Sequence, residues 1–239
     1  MLPRFALVGL LLFTCAMPTV AQESQTARYT LSISGLTAGK MTLGANHGSG
    51  TYAVSANTAS AGLAGLFRSF SLTSRVRGTE QAGRLVPASY TSRTEGSREG
   101  RGADLSFKNG IATVLRADAP SPDAPPVDPA QHKGAVDPLT GLYAILRDTT
   151  PARACRLTVE MFDGHRISRL SLSAPKTDGD SLTCQGLYQR VEGYPPDEIA
   201  KRAEFPFVVT YTAVGDGTVR AIEVSMDSLF GPARLTRDD

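Results

Sequence analysis

Residues 28–36 read Arg-Tyr-Thr-Leu-Ser-Ile-Ser-Gly-Leu, and their alternation decides the fold. Tyr29, Leu31 and Ile33 fall on one side and Thr30, Ser32 and Ser34 on the other, the period-two signature of a half-buried strand. Ala38-Gly39 is read as the turn into a second strand over 40–45. The cluster Asn46-His47-Gly48-Ser49-Gly50 is read as the next turn, and 51–58 as a third strand. Three strands joined by short turns make a meander.

The same grammar continues outward. Strands are expected over 69–76, 84–91, 102–108 and 111–116, the last two joined by the strong hairpin signal Asn109-Gly110. The charged, Gly-rich tract 93–101 reads as a solvated hairpin. Its glycines are no phosphate loop, because no lysine follows and no strand-to-helix context surrounds them. Residues 117–130 carry prolines at 120, 122, 125, 126 and 129, so a crossing linker or loop is expected rather than a regular element. Asp137 then stands as an N-cap with Pro138 at the first helical position. Leu139, Leu142, Tyr143 and Leu146 follow at helical spacing, and Pro151 stops the helix.

Further strands are read over 156–162 and 166–172, joined by Asp163-Gly164, and over 182–191. A short helix is read near 198–202. A last hairpin, 205–214 with 218–226, turns at Gly215-Asp216-Gly217, and 229–235 is expected as an edge strand. About twelve strands in sequential hairpins must curl or close. The expected fold class is mainly β: a large antiparallel curved sheet or barrel-like meander with one or two short helices.

The N-terminus carries a different signal. Arg4 precedes an apolar run of about 12 residues from Phe5 to Ala16, too short for a membrane span, and Thr19-Val20-Ala21 supplies a cleavage site. Residues 1–21 are expected to be a cleaved signal peptide and 22–239 a single β-rich domain in the periplasm, with no transmembrane span left. Lipidation at Cys15 is disfavoured by Thr14 in the preceding position. Two cysteines remain, Cys155 and Cys184, and in an exported chain they are expected to pair. Their spacing matches no zinc motif and no Cys-x-x-Cys redox pair. The 239 residues are 41% hydrophobic and 20% charged with net charge +2, which offers no basic surface for nucleic acid.

An export signal, Ile33-Ser34-Gly35-Leu36-Thr37-Ala38-Gly39, Gly62-Leu63-Ala64-Gly65, Leu85-Val86-Pro87-Ala88-Ser89-Tyr90 and Asp137-Pro138-Leu139-Thr140 follow one another in order. Then come Phe162-Asp163-Gly164-His165-Arg166 and a cysteine strand ending in Val191-Glu192-Gly193-Tyr194. The order and spacing of this set resemble the bacterial family catalogued as domain of unknown function 3108. The resemblance covers nearly all of the chain after the signal. It implies an exported, β-rich envelope protein and supplies no activity, cofactor or catalytic residue.

No metal cluster, dinucleotide fingerprint or nucleophile elbow is present in the sequence, so no cofactor, metal or catalytic residue is assigned. The expected function is a non-enzymatic periplasmic envelope protein that binds an apolar ligand, such as a lipid, or an envelope partner. Candidate lining residues are Leu63, Leu66, Phe67, Leu142 and Tyr143. The segment 60–67 reads either as a helix plugging one end of the sheet or as an apolar rim. Two alternatives stand beside this: a structural or interaction protein with a filled core, and a hydrolase using Asp163 and His165. Asp-Gly at a hairpin is first a turn signal, and Asp137 is first a helix cap.

Overall fold

A computed structural model describes residues 23–62, 70–96 and 102–239. One antiparallel sheet holds thirteen strands. The first half comprises β1 (Glu23–Ile33), β2 (Leu36–Gly48), β3 (Thr51–Ser60), β4 (Phe70–Gln81), β5 (Arg84–Gly96), β6 (Ala103–Lys108) and β7 (Ile111–Ala117). The second comprises β8 (Leu157–Phe162), β9 (Ile167–Asp178), β10 (Ser181–Glu192), β11 (Glu204–Gly215), β12 (Thr218–Ser228) and β13 (Gly231–Arg237). Three α-helices accompany them among the described residues: α1 (Pro138–Leu146), α2 (Pro151–Ala154) and α3 (Pro196–Lys201).

The strand order is β7-β6-β5-β4-β3-β2-β1-β13-β12-β11-β10-β9-β8. Each half is a meander, and the halves join at the centre, where β1 pairs with β13 from Tyr29–Arg237 to Ile33–Ala233. The closing strand, expected at an edge, is therefore central: its two faces of backbone donors are taken up by β1 and β12. The edges are β7 and β8, and the chain crosses from one to the other through the proline segment.

That crossing nearly closes the barrel. Gly134 N donates to Gly110 O in the β6–β7 turn at 2.7 Å. Two residues later Val136 bonds β8 through Glu160 O at 2.9 Å and Phe162 N at 2.8 Å. Gly164, in the β8–β9 turn at φ +110°, sits where an added Cβ would lie 3.3 Å from Ala103 and 3.5 Å from Ala117, on β6 and β7. A side chain there would prise the two edges apart. His132, in the 3-10 turn Pro129–His132, fastens the crossing from outside: Nδ1 lies 3.0 Å from Glu160 and Nε2 2.9 Å from Glu192.

α1 lies inside the sheet. Asp137 accepts from Thr140 N at 2.9 Å and from Thr140 Oγ1 at 2.6 Å, the capping role its position predicted. Gly141 lets β8 approach, since a Cβ there would overlap the Met161 sulfur. At the other end Tyr211 on β11 donates to Ile145 O at 3.0 Å. Leu139, Tyr143, Ile145 and Leu146 are buried with Tyr29, Val76, Leu105, Phe162, Val209 and Tyr211. Large side chains thus fill the middle of the barrel, as its close-packed interior requires. Cys155, just after α2, is disulfide-bonded to Cys184 on β10.

One turn was misplaced by the sequence. Ala38-Gly39 lies inside β2, and the chain reverses at Ser34-Gly35, with φ of 49° and 80°. Gly39 serves close strand approach instead: a Cβ there would stand 2.9 Å from Ala59 O on β3.

Candidate functional site

Alternation of strand direction gives the barrel two ends. The upper end carries the connections after β1, β3, β5, β8, β10 and β12; the lower carries those after β2, β4, β6, β9 and β11. The ends differ in chemistry.

At the lower end a polar cleft of about 600 Å³ lies among Gln25, His47, Glu80, Tyr143, Arg147 and Asp148. Its side chains are bound to one another. His47 Nε2 is 2.6 Å from Glu80 Oε2, and its Nδ1 is 3.3 Å from the Tyr143 hydroxyl. Arg147 reaches the other Glu80 oxygen at 3.2 Å and donates to Gly83 O at 3.3 Å. Burial works to raise the Glu80 pKa, but Arg147 and His47 outweigh it and the carboxyl stays below its usual range. Arg220 makes a two-pronged pair with Asp148, at 3.0 and 2.6 Å. Both ring nitrogens of His47 are committed, so the cluster holds the end of α1 to β2 and β4 rather than presenting a base to substrate.

At the upper end an apolar cleft of about 490 Å³ lies between α1 and strands β8 to β12. Phe205 and Phe207 on β11 line it from the same pleat face as the buried Val209 and Tyr211. Val224 and Met226 continue it on β12, with Leu142 and Ile145 of α1, Met161 and Leu170 opposite. Gly186 makes room for the Phe207 ring, which an added Cβ would overlap. The mouth is edged by Tyr188, Tyr194, Arg166 and Arg190. The Arg190 guanidinium lies 5.3 Å from the Tyr194 ring centre and 5.2 Å from that of Phe205, and Arg202 lies 4.7 Å from Phe205. Arg190 also donates to the carbonyls of Glu198 and Arg202 at 2.7 and 3.0 Å, which ties α3 beside the opening. Burial holds the Tyr194 hydroxyl well above its ordinary pKa, so it stays a neutral hydrogen-bonding group, 2.9 Å from Tyr188.

The candidate residues separate accordingly. Leu142 lines the apolar cleft, whereas Tyr143, the next residue on α1, faces the polar end. Leu63, Leu66 and Phe67 lie outside the described residues; their flanking strands β3 and β4 enter the connection at the upper end. Sequence reasoning missed Phe205, Phe207, Val224 and Met226 as lining residues, because inward-facing apolar positions read alike whether the space before them is filled or open. Asp163 is spent on its turn: Oδ1 accepts from His165 N at 3.0 Å and Arg166 N at 2.8 Å, and Oδ2 from Arg166 Nε at 2.9 Å. The His165 Nε2 is buried and without a hydrogen-bond partner among the described residues. Among those residues no group of three or more His, Cys, Asp or Glu is placed to hold a metal, and no helix is long and apolar enough to cross a membrane.

The model of the family described as "Protein of unknown function (DUF3108)" matches residues 28–188, from β1 into β10. Among solved structures, the chain is similar to the "Beta-barrel-like Protein of Domain of Unknown Function DUF1849 from Brucella abortus" at 13% identity and a TM-score of 0.48. That match covers 90% of this chain and 95% of the other. No curated protein matches the sequence.

Proposed function

We propose that this chain, which belongs to the family of unknown function DUF3108, is a non-enzymatic protein of the bacterial periplasm that holds an apolar ligand in the cleft at the upper end of its barrel. The observation that carries the reading is the cleft itself. Six strand residues and α1 present aliphatic and aromatic carbon around about 490 Å³, enough for part of an acyl or isoprenoid chain, with polar groups confined to the mouth. The Cys155–Cys184 disulfide supports an oxidising compartment, in keeping with the apolar leader read at residues 5–16.

Native mass spectrometry of the purified protein, followed by organic extraction, tests the proposal. The expected result is a discrete adduct that extracts with lipids. Exchanging Val224 and Met226 together for Gln keeps side-chain size but lines the cleft with amides. The adduct should fall at least tenfold while the far-ultraviolet circular dichroism is unchanged. An adduct that persists in this variant would place the ligand elsewhere. A second reading, a structural protein without ligand, draws on the large side chains of Tyr29, Tyr211 and Phe162 buried in the middle of the barrel. A bare polypeptide mass in both proteins favours it.

A further inference from the structure

Nine large hydrophobic side chains stand exposed among the described residues: Leu36, Phe70, Val114, Leu115, Val191, Ile199, Val214, Leu229 and Phe230. Their distribution is one-sided. Val114 and Leu115 lie along the edge strand β7 and Val214 at the lower end, but the other six mark the upper end. Leu36 begins β2, Phe70 begins β4, Val191 nearly ends β10, Ile199 rides on α3, and Leu229 and Phe230 are the tip of the β12–β13 turn. Phe230 is 80%, Leu36 57% and Leu229 55% exposed, so these three are held out in water, while Phe70, Val191 and Ile199 are only partly exposed beside them.

The turns that carry Leu36, Leu229 and Phe230 adjoin one another and the helix that carries Ile199, and together these make a rim. Ser34 N donates to Pro232 O at 2.7 Å and Ser34 Oγ to Phe230 O at 3.2 Å, so the β1–β2 and β12–β13 turns stand side by side. Arg202, at the end of α3, donates to Asp227 O at 2.7 Å and joins that helix to the end of β12. Just within the rim lie the rings of Tyr188, Tyr194 and Phe205 and the guanidinium groups of Arg166, Arg190 and Arg202, which surround the mouth of the apolar cleft.

We infer that this rim docks the barrel, mouth first, on a lipid surface. Resting on the reading of the cleft as a ligand site, the inference adds where the ligand is exchanged. Three features of the rim favour lipid over a protein partner. The most exposed apolar side chains, Leu36, Leu229 and Phe230, stand at adjoining turns with Ile199 on the short helix beside them, separate points that enter a fluid phase more readily than they match a flat surface. Behind them sits a layer of Tyr and Arg, the residue types that settle at the headgroup level of a bilayer. The cleft opens at this same end onto aliphatic and aromatic side chains, so docking there brings a chain drawn from the bilayer to the cleft. The lower end, whose polar cleft is lined by the ion pairs of His47, Glu80, Arg147, Asp148 and Arg220, then faces solvent.

Flotation with vesicles of phosphatidylethanolamine and phosphatidylglycerol tests docking, and fluorescence of cis-parinaric acid in vesicle-free buffer tests the cleft. Wild type should float and should enhance the fluorescence. The variant Leu229→Ser/Phe230→Asp changes only an exposed turn. Its partition to vesicles should drop at least tenfold with its parinaric acid fluorescence intact. The Val224→Gln/Met226→Gln protein should show the converse, floating but failing to bind the fatty acid. Wild type that does not float, or a Leu229/Phe230 variant that floats equally well, overturns the docking. If fatty-acid binding survives in that case, the cleft reading stands alone; if it is absent from wild type, the cleft reading fails separately. A wild-type dimer in sedimentation that the Leu229/Phe230 exchange makes monomeric, without flotation, would assign the rim to a second copy and overturn the lipid assignment.

Discussion

At the scale of single residues, the chain places a few polar groups where water cannot reach them, and Asp137 is the clearest. It is fully buried, and it caps α1 through Thr140, whose hydroxyl in turn accepts from Tyr52 at 2.9 Å. Burial pushes its carboxyl up to about 6, against the pull of the Thr140 bonds. A raised carboxyl pKa means that the folded state holds the proton more tightly than the unfolded one. Stability from this group is therefore full below the unfolded value near 4 and is lost as pH rises through 6. The difference amounts to at most about 3 kcal/mol, on the order of 1.4 kcal/mol per pH unit. In Asp137→Asn the group is neutral at every pH. Urea denaturation of both proteins at pH 4.5 and 7.5 should show the variant gaining about 1–3 kcal/mol on wild type at the higher pH. A gap that does not change with pH would mean that Asp137 titrates as an ordinary carboxyl and that its site is better solvated than the geometry indicates. Asp137-Pro138 was legible in the sequence because a cap is a local event: the bond that fixes its role spans three residues.

Elements were legible for the same reason, and misread where the reason fails. Ser34-Gly35, Ser49-Gly50, Ala82-Gly83, Asn109-Gly110 and Asp216-Gly217 all reverse the chain with both residues at positive φ, the geometry that tight hairpins require. Asn109-Gly110 announced itself, while Ser34-Gly35 lost to the nearby Ala38-Gly39, because a glycine that admits a neighbouring strand looks like a glycine that turns. His47 was swept into a turn by its small neighbours, yet it ends a strand that carries it to Glu80. The cysteines tie elements together in the same way: Cys155 follows α2 and Cys184 is the fourth residue of β10, with Cα atoms 5.2 Å apart. The bridge thus fixes the end of the crossing to the second half of the sheet. Closing a loop of about 30 residues stabilises the fold by about 3.5 kcal/mol through the unfolded chain. The Cys155→Ala/Cys184→Ala protein should lose about 2–4 kcal/mol in urea denaturation with its circular dichroism retained. A loss below about 1 kcal/mol would show that the strand pairing of β8 to β10 already holds α2 in place.

At the scale of the molecule, the local signals run out. Period-two alternation identified the strands, but it says nothing about which distant edges meet, and so β13 was expected outside rather than beside β1. An apolar site was expected, with Leu142 in it, but its strand lining was missed for a related cause: whether Phe207 and Val224 face packed side chains or an opening depends on how α1 lies against them, which no single strand encodes. The observed order makes a strong demand on the proline segment. It is the only covalent path between the halves, but it is not what holds them together. β1 pairs with β13 over five residues, and α1 carries Thr140 to Tyr52, Tyr143 to His47 and Arg147 to Glu80, all across the divide. Residues 119–123, 125 and 126 are exposed, and none belongs to a strand or helix. A protease site inserted between Asp123 and Ala124 should therefore be cut without dismantling the barrel. The nicked protein is expected to elute from a sizing column as one species at the intact mass and to resolve into two fragments only in denaturant. Its urea midpoint should fall and become concentration-dependent, since unfolding now also releases a fragment. Separation into two species in native buffer would mean that β1–β13 pairing and the grip of α1 are weaker than the covalent crossing, and that the two meanders are domains joined by a linker rather than halves of one barrel.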